Sequence, residues 1–273
     1  MTDFERIKGY YSVFDEKNRL NRDNSGKMEY EMTMHILHKF MPKSGRVLDI
    51  GGGAGVYSFP LAEAGYQVYL ADLAERLIEQ ARERKTEEKV ENLVEAEVVN
   101  AIDLSRYEDG MFDVVIALGP FYHLTGEQER HQCVSEIHRV LKDGGIAIAG
   151  FIPYLSGSIA IIERFCYAPQ QVDASTIADV FATGNFHNLQ TFGFQEGHYA
   201  TAEEMEKMFT QCGFKTSCIR SVRGFAYEKE DMIYGIEDKA VFHEVMEAIH
   251  KTATDKAIVE MCGHAVYTGR KNG

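Results

Sequence analysis

Val47-Leu48-Asp49-Ile50-Gly51-Gly52-Gly53-Ala54-Gly55 decides how the rest of this chain is read. The run Arg46 to Ile50 has the length and branching of a strand buried on both faces, and it empties directly into glycines. Val56 to Ala64 then reads as a helix stopped by Gly65, and Gln67 to Ala71 as a second strand. Residues without side chains let a ligand lie against the backbone, and the helix start offers unpaired N–H groups. A tight strand-to-helix turn needs the same glycines for purely structural reasons, so the turn alone is weak evidence. Counting from Gly51, a dinucleotide fingerprint requires a third glycine at the position occupied by Val56. That weakens an NAD-dependent oxidoreductase, the first alternative.

Outward from this turn, short β-branched runs alternate with helical stretches, the signature of a parallel sheet covered by helices. The third strand covers about Val94 to Val99, and the fourth, Phe112 to Ala117, is apolar but for Asp113, as a central strand should be. Thr125 with Gln128 suggests a capping box before a helix carrying Val134, Ile137 and Leu141; Gly144 and Gly145 then turn into a fifth strand, Ile146 to Phe151. Between 152 and 201 the alternation breaks. This stretch is poor in charge and rich in aromatic rings, and it reads as an insertion whose rings bury against the core or a ligand. Thr201 is the expected N-cap of a helix over AEEMEKMFTQCGF, followed by a strand near Lys215 to Val222, a long acidic helix over 228–258 and a last strand, His264 to Thr268. Two N-terminal helices are expected at about 3–18 and 27–41, with the methionines at 28, 32, 34 and 41 filling core. The expected division is 1–45 as a helical cover, 46–151 as a Rossmann-like core, 152–201 as a substrate cap and 202–273 as the remainder of the core.

A net charge of −13 over 273 residues repels phosphate backbones and anionic lipid heads, so neither nucleic acid nor a membrane is expected as a partner. No patch of Lys and Arg with interleaved aromatics supports an RNA substrate. Cys133, Cys166, Cys212, Cys218 and Cys262 are scattered without a CxxC pair, which points to reduced thiols and no metal site. With a charged N-terminus lacking an apolar core and no apolar run of about 18 residues, a cytoplasmic protein is expected, as monomer or homodimer.

Asp72 lies 21 positions after Gly51, at the end of the second strand, where a carboxylate can accept both hydroxyl protons of a ribose, with Leu73 beside it. It would serve equally to cap the following helix. Asn100, Ala101 and Ile102 follow the third strand and offer an amide, a backbone N–H and an apolar side chain to a base. An acid before GxGxG, an acid ending the second strand and a polar-alanine pair after the third resemble class I S-adenosylmethionine-dependent methyltransferases of the small-molecule subgroup. Asp49, Gly51, Gly53, Gly55 and Asp72 match directly, and Asn100 stands where that family usually has Asp. FDVVIALGPFYHL, EIHRVLKDGGI and AEEMEKMFTQCGF are similar to the family as well. The resemblance implies a doubly wound, mostly parallel α/β sheet of seven strands ordered 3-2-1-4-5-7-6 with the last antiparallel, S-adenosyl-L-methionine as cofactor, and Ala117 and Leu118 near the methionine ammonium, whose charge Asp49 complements.

Ligands of open α/β sheets sit beyond the C-terminal strand ends, so the loop Leu118 to His123 faces the reactive methyl group. His123 is the first candidate for a general base, with Tyr122 beside it; anchoring the loop is its structural alternative. Tyr11 is a candidate lid residue. In the insertion, His187 with Asn188 and His198 with Tyr199 are candidate acceptor contacts. The expected acceptor is small and partly apolar or aromatic. A module that binds S-adenosylmethionine without catalysis remains a second alternative, and a tRNA or protein methyltransferase a weaker third.

Overall fold

A computed structural model describes all 273 residues. Its strands are β1 (Arg46–Ile50), β2 (Gln67–Asp72), β3 (Leu93–Val98), β4 (Phe112–Ala117), β5 (Leu141–Pro153), β6 (Asn185–His187), β7 (Glu196–Ala200), β8 (Phe214–Ser221) and β9 (Ala265–Lys271). Its helices are α1 (Phe4–Tyr11), α2 (Asn24–Phe40), α3 (Ser58–Glu63), α4 (Glu75–Glu88), α5 (Glu127–Val140), α6 (Tyr154–Tyr167), α7 (Ala174–Thr183), α8 (Ala202–Gln211), α9 (Glu230–Tyr234), α10 (Lys239–Thr252) and α11 (Lys256–Glu260).

β3, β2, β1, β4 and β5 pair in that order and in parallel. Residues Ile146 to Phe151 of β5 then pair antiparallel with β9, and β9 pairs antiparallel with β8. The seven strands read from the sequence therefore stand in the expected order with the last one reversed. β5 also runs past its expected end, and Ile152 and Pro153 pair in parallel with β7, which carries β6 on its far side. The sheet thus has nine strands, the extra two supplied by the insertion.

Alternate residues of each strand feed opposite faces. Leu48, Ile50, Val115 and Ala147 meet α5 and α8 in a core of 29 buried residues, while Val47, Val68, Val114 and Ile148 meet α2, α3, α4 and α10 in one of 28. The near-equal clusters make the sheet doubly wound. Met28 and Met32 are fully buried in the second core, as expected of filler.

Four local expectations give way. The first helix stops at Tyr11, after which Asp15 and Asn18 form a side-chain-bonded turn and Asp23 caps α2 by accepting the Gly26 N–H. Residues 228–258 form three helices because Asp238 and Asp255 each open a new one, accepting N–H groups of Ala240 and Ala257. Thr125 does not cap α5, which starts at Glu127 behind Gly126; its N–H is taken by the Thr2 hydroxyl at 2.9 Å. Thr201 does cap α8, through Glu204 N–H. The rings of the insertion divide: Phe186 and Tyr199 join a small cluster with Ile161, Val172 and Val180, whereas Phe165, Tyr167, Phe181 and Phe192 remain exposed. No helix is long and apolar enough to cross a membrane.

On α8, Phe209 stacks on Tyr267 of the reversed β9, ring centroids 4.2 Å apart. Both are fully buried. Phe209→Ala should destabilise the protein by about 3 to 5 kcal/mol, read from urea unfolding; a loss below about 1 kcal/mol would mean that this packing is not what seats β9.

Candidate active site

The turn after β1 is closed by its neighbours. Gly51 adopts φ +69° and donates its N–H to Ala71 O of β2 at 2.7 Å. Gly52 sits on Asp49: a Cβ there would lie 2.5 Å from Asp49 Oδ2 and from Leu70 Cδ1. Asp49 is buried and accepts the Ser58 hydroxyl at 2.7 Å, and burial lifts its carboxyl to about 7. It braces the turn from below and forms part of a cavity wall.

Asp72 reaches the turn from β2. One oxygen accepts the Gly53 N–H and the other the Ala74 N–H, both at 2.8 Å. Burial raises its carboxyl to about 6, against the pull of those two donors. Each oxygen keeps a lone pair, so the same carboxylate can order the loop and accept hydroxyl protons from the cavity. Asn100 is held by Ile102 N–H on its Oδ1 at 3.2 Å, leaving its amide NH2 to donate.

Two cavities with about 680 and 660 Å³ of empty space meet across the glycine turn. The first is bounded by Asp72, Leu73, Val99, Asn100 and Ala101, with Tyr11 and His123 above. The second extends past Leu118 to the ends of β5 and β9. Glu16, Gly51, Gly119 and Tyr122 border both. Of the candidates, Gly55 and Ala117 shape the turn and the β4 end without walling either cavity, and Ile102 packs against the core.

The insertion contributes no wall. His187 is half exposed beside Glu196 at 3.3 Å; Asn188 is buried, donating to the carbonyls of Phe192 and Phe194. His198 is bonded at both ring nitrogens, to Asn185 and Glu204 at 2.8 Å each, and Tyr199 is buried in the insertion's own cluster. These four support the loop and N-terminal segment rather than facing a ligand. Arg6 of α1 donates to Gln195 Oε1 at 2.9 Å and to the carbonyls of Asn188 and Gln190, and Asp3 N–H reaches Glu196 at 2.6 Å.

α1 covers the first cavity. The Tyr11 hydroxyl meets His123 Nε2 at 2.8 Å, and Arg76 of α4 holds the carbonyls of Tyr11 and Phe14. Burial lifts the Tyr11 phenol well above its ordinary value and lowers His123 to about 4. A neutral imidazole of such low basicity, already bonded through Nε2, orients the loop better than it removes protons.

Several wall residues escaped the sequence reading. Arg19 donates to Glu16 at 3.0 Å and to Glu29 at 2.9 Å, and Glu29 also holds His264 Nδ1 at 2.9 Å. Glu29 is fully buried. Burial by itself would raise its carboxyl, but His264 and then Arg19 hold it well below the usual range. Tyr57 and Thr33 border the same cavity. One signal was present: Glu29 and Thr33 stand four apart on a helix whose adjacent stripe, Met28, Met32 and Ile36, is core.

Residues 48–149 match the family model described as a methyltransferase domain. The chain is 27% identical over 225 residues to the Bacillus subtilis protein YqeM, provisionally described as a methyltransferase, covering 76% of this chain and 86% of that protein. It is 31% identical over 145 residues to glycine/sarcosine N-methyltransferase of Aphanothece halophytica, covering 53% of this chain and 52% of that enzyme, about half its length. An S-adenosylmethionine-dependent methyltransferase structure from Methanosarcina mazei shares the fold at a TM-score of 0.60 and 20% identity, over 87% of this chain and 97% of that one. Residues 48–149 therefore match a methyltransferase domain within a chain of Rossmann-like fold, and the relatives named as methyltransferases support an S-adenosyl-L-methionine-dependent enzyme.

His123 also predicts an acid limb. Its folded pKa of about 4 lies below the ordinary imidazole value of about 6.5, so between these pH values the unfolded chain binds the proton and the folded chain does not. Stability should fall as pH drops through that window, by up to about 1.4 kcal/mol per pH unit from this group. His123→Asn should flatten the limb correspondingly; superimposable limbs for the two proteins would refute the buried neutral ring.

Proposed function

We propose that the protein methylates a small molecule, with the nucleoside of the cofactor in the first cavity and the acceptor approaching from the second. The observation that carries this is the meeting of the two cavities at Gly51, Gly119 and Tyr122. The donor set suits a nucleoside: Asp72 for the ribose hydroxyls, the Asn100 amide and Ala101 backbone for the base edge, and Leu73 and Val99 for its faces. Gly53 and Gly55 give the turn its shape, and Ala117, Leu118 and Asp49 border the methionine end. Bound S-adenosylmethionine supplies an activated methyl group.

The protein's contribution is then mostly positional. Holding donor and acceptor in line is worth roughly 7 to 11 kcal/mol of barrier. Tyr11, latched to His123, excludes water from above, and Tyr122 stands where both ligands meet. The glycine/sarcosine N-methyltransferase relative, whose name specifies small acceptors, supports the substrate class.

An aromatic acceptor was expected from segment 152–201, and that segment walls neither cavity. Apolar surface in the second cavity comes instead from Leu20, Val56, Tyr57, Phe151 and Val222. This suits a partly apolar acceptor with a polar head. In the arrangement we favour, 1–45 form the cover, 46–151 with 202–273 the core, and 152–201 a buttress for cover and loop.

Asp72→Ala should weaken binding of S-adenosylhomocysteine at least tenfold by calorimetry, since each charge-assisted bond is worth about 1.5 to 3 kcal/mol. The variant should keep its far-UV circular dichroism. Unchanged affinity in a folded variant would remove Asp72 from the ribose site.

A further inference from the structure

The second cavity contains a histidine that the roles above leave unused. His264 lies just ahead of β9, its backbone pinned by Val222 N–H and the Cys262 thiol on its carbonyl oxygen. Its ring is partly exposed, on the wall of the second cavity. Nδ1 is bonded to Glu29, and no protein group engages Nε2.

The tautomer follows from the partner. An ionised carboxylate only accepts hydrogen bonds, so the bonded Nδ1 must carry a proton. In the neutral ring the lone pair is then on Nε2, the nitrogen left without a protein partner. Glu29 is kept ionised by Arg19 as well as by His264. His123 offers no equivalent, since Tyr11 already takes its Nε2.

Wall charge selects among acceptors. Glu16 and Glu29 border the cavity and share the single cation Arg19, which leaves one acid in excess; Asp49, on the same wall, belongs to the methionine end. Glu16 meets Arg19 through one oxygen only and borders both cavities. A carboxylate or phosphate ligand would meet this excess of acids; a cation is complemented by it.

We propose that the second cavity is the acceptor site, that it takes a small primary or secondary amine in its protonated form, and that His264, oriented by Glu29, is the base. This rests on the methyl-transfer function above. An ammonium group has no lone pair for displacement at a sulfonium. Its N–H bond breaks and the proton passes to His264 Nε2. The freed nitrogen pair forms the N–C bond as the C–S bond breaks and its electrons remain on sulfur. The products are a methylated ammonium, the thioether and an imidazolium, which returns its proton to solvent. His264 touches substrate; Glu29 is a positioning residue.

Other groups face His264. Arg19 and Glu16 stand beyond Glu29, the Tyr122 ring lies 5.8 Å away, and Arg223, paired with Glu230 at 3.0 Å, crosses behind Gly263. The phenol of Tyr122 is pushed up by burial and stays neutral.

The test uses the full-length protein with labelled histidine, His264 being assigned by its absence in His264→Asn. Probes are ethanolamine, methylamine and dimethylamine, with catechol and 2-mercaptoethanol as non-amine controls. Calorimetry with S-adenosylhomocysteine comes first. Tight binding by wild type, His264→Asn and Glu29→Gln confirms that the folded cofactor site is intact; failure of wild type to bind would refute methyl transfer itself, separately from the amine. At least one amine should then shift the His264 ring resonances saturably and yield S-adenosylhomocysteine at a pH-dependent rate. His264→Asn should lower kcat by about 10² to 10⁴ with a smaller change in KM. Glu29→Gln should lower kcat less and displace the pH profile, with partial recovery in Glu29→Asp. Turnover of only the phenol or thiol, an unshifted His264 with every amine, or wild-type kcat in His264→Asn overturns the proposal.

Discussion

The rest of the site depends on one buried carboxylate. Asp72 accepts N–H groups from Gly53 and Ala74, which belong to different βα turns. It thereby fixes the glycine turn after β1 against the start of the segment after β2. Burial opposes its charge and lifts its carboxyl to about 6, so the ordered turn is maintained at an electrostatic cost. Ligand hydroxyls that hydrogen-bond to the charged form offset that cost. On the proposed function, loop order and nucleoside binding are therefore coupled through a single side chain.

A second network opposes the first across the cavity junction. Arg19 spans Glu16 and Glu29, and Glu29 spans Arg19 and His264, so a loop, α2 and the approach to β9 share one chain of ion pairs and hydrogen bonds. Replacing any partner would leave a buried charge uncompensated, a larger penalty than the net value of the pair. The network explains why α2, distant in sequence from β9, is seated against its entry. Glu16, at the end of this chain, borders both cavities and is the least paired of its acids.

Much of the fold was legible because its signals are local. Apolar continuity marked β4 as central, and Gly51 to Gly55 with Asp72 located the nucleoside cavity. Glu29 and His264 were not legible, since their pairing joins residues 235 positions apart and neither lies in a motif. The insertion misled for a different physical reason. Ring-rich, charge-poor sequence predicts burial against the core or a ligand, but Phe186 and Tyr199 form a cluster of their own while Tyr167 projects into solvent. The helix boundary near 235 failed because Asp238 restarts a helix within sequence that a periodic pattern reads as continuous, and the first helix stops at Tyr11, short of its expected end near 18.

What the insertion does instead follows from its hydrogen bonds. Arg6 of α1 is gripped by Gln195 and by the carbonyls of Asn188 and Gln190, and Asp3 by Glu196, while Arg76 grips the C-terminal end of the same segment from α4. Phe194 places its ring 5.2 Å from His123, on the loop that faces both cavities. The cover is thus clamped at two ends and latched in the middle by Tyr11 on His123. A ligand enclosed beneath α1 leaves only after those polar contacts separate or the second cavity opens. Segment 152–201 therefore bears on access to the first cavity through the N-terminal helix, and on the proposed function chemical selection of the acceptor falls to the charged walls contributed by α2 and the entry to β9.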